Sequence, residues 1–443
     1  NKVSAISADG KTLTVAGTTS VTGINVGGTV PTSKTTSSTF RIKVPKVLNL
    51  ENSGIFSKLP RKNISNLDTS DSNLIIQRQI RNQSVSSNSL TLTSQAGLDA
   101  TVGISSVFFE PFDVERYSIT YQDGVVEPLT SDQVTISDNS ETITFSGLAK
   151  ATANEVTVNV TLKKVGASSK SKDYIRSQQL EVTRTSGVNT LNGLTTHDAY
   201  GIRVEDKEIS LNVPDVVKIL AVYESKTTST PQLDKVKFVS GLSLNTSAII
   251  GEKIVGKDSR AIGQIVSVPN ATDVNFVYLN GNKFTVGEVV EFVESGTETI
   301  LQGVEVGNFI DRTDNYILDK GHKIQYCDFS KIVRKAKSGV PSKKLLIIFD
   351  KYQVASGNTG DFFSVNSYTK ERYSNDIPFI GGFQGQDVLD YRPRVSEFTY
   401  SGGGHSPFAF SSRTFESTNP FNITPNESSL LGFNYFLGRI DKV

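Results

Sequence analysis

Apolar and polar side chains alternate in Thr142-Ile-Thr-Phe145 and in Val156-Thr-Val-Asn-Val-Thr-Leu-Lys163. A period of two places alternate side chains on opposite faces of an extended strand. Similar runs lie on both sides, at Tyr117 to Tyr121, Val134 to Ile136 and Leu180 to Arg184. Strands about 8 to 12 residues apart with turns between them are typical of a sandwich. We therefore expect residues 106–190 to form an immunoglobulin-like β-sandwich.

Turn signals support a β protein elsewhere in the chain. Asp9-Gly10 separates Val3 to Ile6 from Thr12 to Val15, and such pairs tolerate the positive φ angles of a tight turn. Two further hairpins are predicted at Tyr121 to Val126, around Asp123-Gly124, and at Val277 to Phe284, around Asn280-Gly281.

A second module is predicted in residues 245–305, which carry enough strands for a small five-stranded barrel. Its strands are expected at Ile249 to Val255, Ala261 to Val268, Phe276 to Leu279, Val289 to Val293 and Ile300 to Val306. Apolar runs flank this stretch, at Val213 to Glu224 and at Lys343 to Val354, and both are typical of buried strands. We therefore expect the barrel to be inserted into a larger β domain formed by residues 191–244 and 306–360.

The remaining segments are less regular. Residues 1–45 are expected to form a small β unit or connector, and residues 46–105 an irregular extended segment that runs along a neighbouring subunit. Helices are predicted only around Thr69 to Asn82 and Asp328 to Lys335. Residues 361–443 are rich in aromatic residues, which either pack on partners or fill a core of their own. The fold class is thus mainly β and multi-domain, with sandwich and barrel modules joined by irregular extended segments.

Composition excludes several classes of function. The 46 Lys and Arg against 45 Asp and Glu argue against a polybasic nucleic-acid binder. A single cysteine excludes an internal disulfide framework and a multi-cysteine metal site. The longest apolar runs suit buried strands and are too short for a membrane helix. The chain contains no methionine, begins at Asn1 and ends within a strand-like run, so we expect an internal piece of a longer polypeptide.

The search for nucleotide and thiol chemistry finds no site. Gly402-Gly403-Gly404 lacks the lysine of a phosphate-binding loop. Cys327 is the only thiol, and we expect it to be a buried structural residue. His322 lies five residues before Cys327, an offset that would place the two side chains on opposite faces of one strand.

Other polar constellations favour structural roles. The acid pairs Glu127 with Asp132 and Glu291 with Glu294 are expected at solvated strand ends and loops, and Asp311 to Asn315 in a turn. His197 and His405 lack a second histidine at ligand spacing. A basic cluster, expected to be solvated or subunit-facing, comprises Lys331, Arg334, Lys335, Lys337, Lys343 and Lys344. We assign no catalytic, cofactor-binding or metal-binding residue and expect no enzyme activity.

Several short sequence segments within residues 195–443, here called phrases, resemble segments of large virion structural proteins of T4-like contractile-tailed phages, particularly those of cyanophages. They are Asp198 to Asp206, Glu208 to Val216, Ala221 to Ser225, Asp319 to Gly321, Asp328 to Lys335, Leu389 to Val395, Ser406 to Phe410 and Pro425 to Gly432. The resemblance implies a non-enzymatic component of the virion tail, in the baseplate or fibre-attachment region.

That resemblance implies other virion tail proteins as partners, and we expect a homo-oligomer within the assembly, with no nucleic-acid partner and no membrane insertion. An alternative is a receptor-binding fibre or adhesin module, since glycan rings stack on exposed Tyr and Phe. Glycan binding by residues 106–305 would distinguish the two hypotheses.

Overall fold

The computed structural model describes the larger part of the chain. The described residues are 2–6, 13–16, 56–58, 64–68, 70, 72–94, 107–183, 201–241, 243–355, 360–368, 377–380, 382–399, 406–415, 422–424 and 427–435.

Strands dominate these residues, which confirms the mainly β fold class. The strands up to residue 183 are β1 Lys2–Ile6, β2 Leu13–Ala16, β3 Phe56–Lys58, β4 Ile64–Asp68, β5 Asn73–Ser86, β6 Leu90–Thr93, β7 Val107–Phe109, β8 Ser118–Thr120, β9 Val126–Pro128, β10 Val134–Ile136, β11 Thr142–Phe145, β12 Thr152–Val165 and β13 Lys172–Val182. The later strands are β14 Glu208–Ser210, β15 Val216–Ser225, β16 Asp234–Phe238, β17 Lys253–Gly256, β18 Ile262–Ser267, β19 Asp273–Tyr278, β20 Val289–Phe292, β21 Glu298–Glu305, β22 Phe309–Asp311, β23 Tyr316–Asp319, β24 Lys331–Arg334, β25 Leu345–Val354, β26 Phe379–Ile380, β27 Phe383–Gln384, β28 Val388–Asp390, β29 Asn422–Ile423 and β30 Gly432–Tyr435.

Helical structure is limited to single turns in the described residues. The α-helix is Leu244–Ser247, and the 3₁₀ turns are Ser131–Gln133, Thr313–Asn315, Val365–Ser367, Gly385–Asp387 and Phe410–Ser412. Both predicted helices are wrong: Thr69 to Asn82 mostly forms β5, and Asp328 to Lys335 contains β24. β-branched residues in both segments pack on a pleated surface, which overrides the weak helical spacing. No helix here has the length and apolar character needed to cross a membrane.

The first module is a sandwich of two sheets around one core. One sheet has the order β29-β5-β12-β8-β9, with β7 also paired to β12, and the other has the order β10-β11-β6. The side chains of Ile119, Phe145 and Val158 are fully enclosed in the shared core.

The expectation that residues 46–105 are irregular is wrong for β5 and β6, because their alternating apolar residues complete this core. The predicted hairpin at Asp123-Gly124 is confirmed as the β8–β9 turn, with Gly124 at φ +81°. The β1–β2 pairing confirms the first hairpin as well, although its Asp9-Gly10 turn lies outside the described residues.

The second module has two sheets of its own. One has the order β13-β25-β15-β22 and the other β14-β24-β23, and between them lies a core that includes Val222, Ile332 and Ile347. β15 and β25 confirm the predicted buried strands. The run Leu180 to Arg184 was expected in the sandwich, but Leu180 to Val182 instead belong to β13, which pairs with β25 along most of its length. Arg184 lies outside the described residues.

The barrel is closed and has six strands instead of the expected five, in the order β16-β19-β18-β17-β20-β21. The sixth is β16, which precedes residue 245 and pairs with both β19 and β21. The predicted hairpin at Asn280-Gly281 is wrong: β19 pairs with β16 and β18, and the chain after Asn280 leads Phe284 into the barrel core. In sequence the barrel lies between β15 and β22, which are neighbours in one sheet.

The barrel also contains an internal repeat. Exchanging β16, β17 and β18 with β19, β20 and β21 reproduces all six strand pairings. The two halves carry Gly251-Glu252 and Gly287-Glu288 at equivalent positions, with both glycines at positive φ. Glu252 accepts hydrogen bonds from the N–H groups of Glu294 and Ser295, and Glu288 accepts them from Asp258 and Ser259. Each half therefore caps the hairpin tip of the other.

One face of the β13-β25-β15-β22 sheet supports the barrel. Val266 and Val277 of the barrel pack against Ala221, Tyr223 and Ile348 of the sheet. At the rim, Ser177 donates to the Ile265 carbonyl at 2.7 Å, and Gln264 donates to Asp350 at 3.2 Å. Arg176 forms a bidentate ion pair with Glu294. An apolar patch with polar rim bonds fixes the orientation of the barrel on the sheet.

The C-terminal segments return to the beginning of the chain. β28 pairs with β3, β29 with β5, and β30 with β4. Arg116 and Glu427 add an ion pair at 2.6 Å between the sandwich and the same region. The expectation of an irregular region after residue 361 is thus wrong for these strands, which find their hydrogen-bonding partners in distant strands.

Candidate functional site

A buried cluster of charged and aromatic side chains lies where β13, the loop before β15, the turn after β23 and the chain after β28 meet. We call it the ionic junction. It consists of Lys172, Asp215, His322, Cys327, Phe363, Tyr368, Asp390, Arg392 and Arg394.

Asp215 is the centre of the ionic junction. Its backbone has φ +60°, and its carboxylate lies 2.9 Å from Lys172 Nζ, 2.6 Å from Arg394 Nη1 and 3.3 Å from His322 Nε2. Burial opposes ionisation of this carboxyl group, but the charges of Arg394 and Lys172 outweigh burial and hold its pKa well below the usual range. Asp215 is therefore an anion that links three separate segments.

Lys172 is enclosed by aromatic rings. Its Nζ donates to the Tyr368 hydroxyl at 3.0 Å and lies 4.5 Å from the ring centre of Phe363. Burial, with the nearby charge of Arg394, lowers the pKa of Lys172 to about 8. The ammonium group is thus held by Asp215 and by cation–π contacts rather than by water.

His322 and Cys327 lie side by side, so the prediction of opposite faces is wrong. Lys323 and Tyr326 close a tight turn, and His322 and Cys327 become opposite partners in an antiparallel bridge. The Cys327 Sγ atom lies 3.6 Å from His322 Nδ1 and 3.8 Å from Asp215 Oδ1. An even or odd offset assigns faces only within one continuous strand, and the chain reverses here.

The contact with Arg392 determines which ring nitrogen of His322 carries the proton. The guanidinium Nη2 lies 3.4 Å from His322 Nδ1, and a guanidinium has only donors. Nδ1 is therefore the accepting nitrogen, and Nε2 carries the proton that faces Asp215. Arg392 is in turn fixed by Asp390, which accepts from its Nε at 2.9 Å and its Nη2 at 2.7 Å.

The order Cys327–His322–Asp215 matches the order of a thiol-based catalytic triad, but the electrostatics oppose that chemistry. Burial raises the pKa of the Cys327 thiol to about 11 and lowers the pKa of His322 to about 3. An active pair needs a thiolate beside an imidazolium. Arg392, Lys172 and Arg394 disfavour an imidazolium, and Cys327 is only 1% exposed. The sequence-based prediction of a buried Cys327 is confirmed.

The same three residues present donor atoms within 4.8 Å of one another, as a metal site would require. Two observations disfavour a cation there. Asp215 already binds the positive charges of Lys172 and Arg394, and the two ring nitrogens of His322 face different partners. A divalent ion would have to displace these cations from the carboxylate that it needs as a ligand.

A cavity of 390 Å³ opens beside the ionic junction. It is lined by Glu208, Asp319, Gly321, His322, Lys323, Asp328, Phe329, Lys331, Phe408 and Arg413. The charges around it are paired: Arg413 forms a bidentate ion pair with Asp328, and Lys331 lies 2.6 Å from Glu208. Ion pairs within the protein thus form the cavity wall, and few of its charged side chains remain available to bind a ligand.

The acid pairs weighed from the sequence do not form catalytic pairs. Glu127 is buried and accepts hydrogen bonds from the Tyr121 hydroxyl and the Ala149 N–H, so the expectation of a solvated position is wrong for it. Asp132 is exposed in a 3₁₀ turn. Glu294 binds Arg176, whereas Glu291 lies on β20. Asp311 accepts from Thr313 in a turn, as predicted.

The basic cluster is divided among separate partners. Lys331 binds Glu208, Arg334 is buried, and Lys344 lies 3.8 Å from Glu181. Lys335 and Lys337 are exposed. A nucleic-acid or lipid patch at this cluster therefore gains no support from the arrangement. His197, Gly402 to Gly404 and His405 lie outside the described residues.

The phrases that resemble phage virion proteins meet around this site. Asp215 contacts Arg394, Glu208 contacts Lys331, and the ring of Phe408 covers Gly201 so closely that a Cβ would overlap it. Five of the eight phrases therefore build one structural unit, although they are spread over more than 200 residues of sequence.

Comparisons with known proteins give no relative: no family model, no curated protein and no solved structure matches this chain. The immunoglobulin-like assignment of the sandwich therefore stays a prediction.

Proposed function

We propose that this chain is a non-enzymatic structural component of a phage virion tail, in the baseplate or fibre-attachment region, and that it acts through extensive protein–protein interfaces. The observation that carries the proposal is the packing of five virion-like phrases around the ionic junction and the cavity beside it. Resemblance in phrase and order gains weight when the phrases form one packed unit instead of scattered surface segments.

The connections between the modules support a structural role for the chain. The ionic junction joins β13, the loop before β15 and the chain after β28, and the barrel is fixed to the sheet by an apolar patch with polar rim bonds. Domains of one chain move relative to one another by default, unless the interface between them is large and apolar. The apolar patch beneath the barrel and the buried, multiply paired charges of the ionic junction favour a fixed arrangement.

Exposed aromatic residues support partner binding by the C-terminal region. Phe379 and Phe410 are 66% and 80% exposed, whereas Phe362 and Phe363 are buried. The aromatic-rich region thus contains residues that fill a core and residues that remain available to a partner. Exposed Phe side chains are enriched where proteins bind one another.

The glycan-binding alternative gains no comparable support. In the described part of residues 106–305, Phe108, Phe112, Tyr174 and Tyr278 are only partly exposed, and the other Phe and Tyr side chains are buried. A sugar ring needs an accessible aromatic face for stacking. Binding of residues 106–305 to a glycan array would nevertheless favour the alternative over the tail proposal.

The test is immunogold labelling of purified phage particles with an antibody raised against the barrel, combined with mass spectrometry of the same particles. We expect the label on the tail and peptides of this chain in the virion fraction. Pre-immune serum and particles of an unrelated phage are the controls. Absence of the chain from washed virions, or a full-length protein that stays monomeric and binds no tail component, would overturn the proposal.

A further inference from the structure

Lys164 occupies an unusual position at the end of β12. On this strand Val156, Val158, Val160 and Leu162 face the sandwich core, and Lys164 continues the same alternation. Its side chain is 9% exposed. A lysine at a core-facing position has a large desolvation cost unless a specific partner offsets it.

The partner is Asp361, which lies 197 residues later in the chain. Lys164 Nζ contacts Asp361 Oδ1, and the carboxyl group is completely buried. The second oxygen, Oδ2, accepts a hydrogen bond from the Ser168 N–H at 2.9 Å. The Asp361 N–H in turn donates to the Ser168 carbonyl at 2.8 Å, so the backbone fixes the carboxyl group against the lysine.

Two buried Lys–Asp pairs can be compared within this chain. Asp215 of the ionic junction has Arg394 and His322 beside it in addition to Lys172, and these neighbours hold it as an anion. At Asp361, burial outweighs the charge of Lys164 and raises the pKa of the carboxyl group. The two pairs therefore differ in the direction in which the surroundings shift the pKa of the carboxyl group, downwards at Asp215 and upwards at Asp361.

We propose that Lys164 Nζ and Asp361 Cγ are joined by an intramolecular isopeptide bond. The reaction needs no oxidant, metal or other co-reactant. A proton passes from the ammonium group to Asp361 Oδ1, the free amine attacks Cγ, and the C–Oδ1 bond breaks. Oδ1 leaves as water with the transferred proton and one amine proton, and an N–Cγ amide bond remains.

The geometry provides what this step requires. The amine and the carboxyl group are in contact before reaction, which replaces a bimolecular encounter with a fixed arrangement. The Ser168 N–H stabilises the negative charge that develops on Oδ2, the oxygen that becomes the amide carbonyl. Burial keeps water away from the product, which disfavours hydrolysis back to the acid.

The bond would tie the sandwich to the C-terminal part of the chain. β12 is the most extensively paired strand of its sheet, and Asp361 precedes the segment that leads to the 3₁₀ turn Val365–Ser367. A covalent link between the two closes a long loop that contains the entire second module and the barrel, and so restricts the unfolded chain. The inference does not depend on the proposed tail function.

The experiment is a tryptic digest of the denatured full-length protein, analysed by tandem mass spectrometry. Trypsin does not cleave after an acylated lysine. We expect a branched peptide of Lys164–Lys170 joined to Tyr352–Lys370 and lighter than their sum by one water molecule. Fragment ions place the link at Lys164 and Asp361.

Two controls make the result decisive. Lys164→Arg keeps the positive charge but cannot form the amide, so the branched peptide is lost in this variant. Lys172 in the same digest is expected to remain unmodified, because its partner Asp215 stays an anion. Recovery of the linear peptides Val165–Lys170 and Tyr352–Lys370 at full yield from the wild-type protein would overturn the inference, whether or not any variant folds.

Discussion

Asp215 and Arg394 are 179 residues apart in sequence and form an ion pair of 2.6 Å in which both side chains are at least 95% buried. The pair joins the loop before β15 to the chain after β28. Because Lys172 and His322 share the same carboxylate, a single side chain connects four distant segments.

Replacement of Asp215 by Asn is expected to lower the free energy of unfolding by about 3–5 kcal/mol, since two buried cations lose their counter-ion. Chemical denaturation measures the change. Glu298→Gln is the matched control, because it breaks the exposed pair with Lys257 and should leave stability almost unchanged. Equal effects of the two substitutions would contradict a central role for Asp215.

Acid is expected to destabilise the fold through His322. Its folded pKa of about 3 lies below the ordinary value of 6.5, so the unfolded chain binds a proton that the folded chain does not. Stability should therefore fall as the pH drops from 6.5 towards 3, by about 2 kcal/mol between pH 7 and pH 5 from this group. The charged groups facing the ring are Asp215, Lys172, Arg392 and Arg394, and none of them titrates in this range.

The measurement is the urea midpoint as a function of pH in the wild type and in His322→Gln. The variant is expected to start from lower stability and to lose less of it on acidification. His405→Gln, at another of the three histidines, is the control. If that variant flattened the profile instead, the assignment to His322 would be wrong.

The Cys327 thiol should be unreactive in the folded protein. Burial and a pKa of about 11 keep it neutral at pH 8. We expect alkylation by iodoacetamide to be at least ~10²-fold slower in the native protein than in 6 M urea, because reaction requires unfolding. Labelling at comparable rates in both states would indicate an activated thiolate and would reopen the catalytic interpretation.

The two repeat glycines of the barrel offer a matched test of its docking. Gly251 and Gly287 both have positive φ, so alanine strains the backbone by about 1 kcal/mol at either site. A Cβ at Gly251 would overlap Arg176 of the sheet, whereas a Cβ at Gly287 has no heavy atom within 4 Å. Gly251→Ala is therefore expected to cost about 1–3 kcal/mol more. Thermal unfolding of the two variants gives the difference, and equal costs would mean that the barrel is not held against Arg176.

The strands were largely predictable from the sequence, and their partners were not. Alternation in Val134 to Ile136 and Thr142 to Phe145 identifies β10 and β11 directly. Within the predicted helix Thr69 to Asn82, the spacing of Ile75, Ile76 and Ile80 imitates a helical stripe, because a strand buried on both faces loses the alternation that identifies it. The returning strands β28 to β30 are short, and their partners lie hundreds of residues away, so no local pattern marks them.

The ionic junction could not be predicted from local sequence patterns, because its residues come from distant segments of the chain. Cys327 and His322 are only five residues apart, but Asp215 lies 112 residues before Cys327. Nothing about Asp215 in its own segment distinguishes it from the other acids. The barrel repeat did leave a readable signal, since Gly-Glu recurs after 36 residues before an apolar strand at Gly251 and Gly287.

The reciprocal capping of the barrel has an evolutionary consequence. Because Glu252 holds the hairpin tip of the other half and Glu288 does the same in return, neither half can satisfy its own exposed N–H groups. A single half would therefore need a second copy of itself to complete these caps. Exchange of this module between related chains would have to transfer residues 234–305 as one unit.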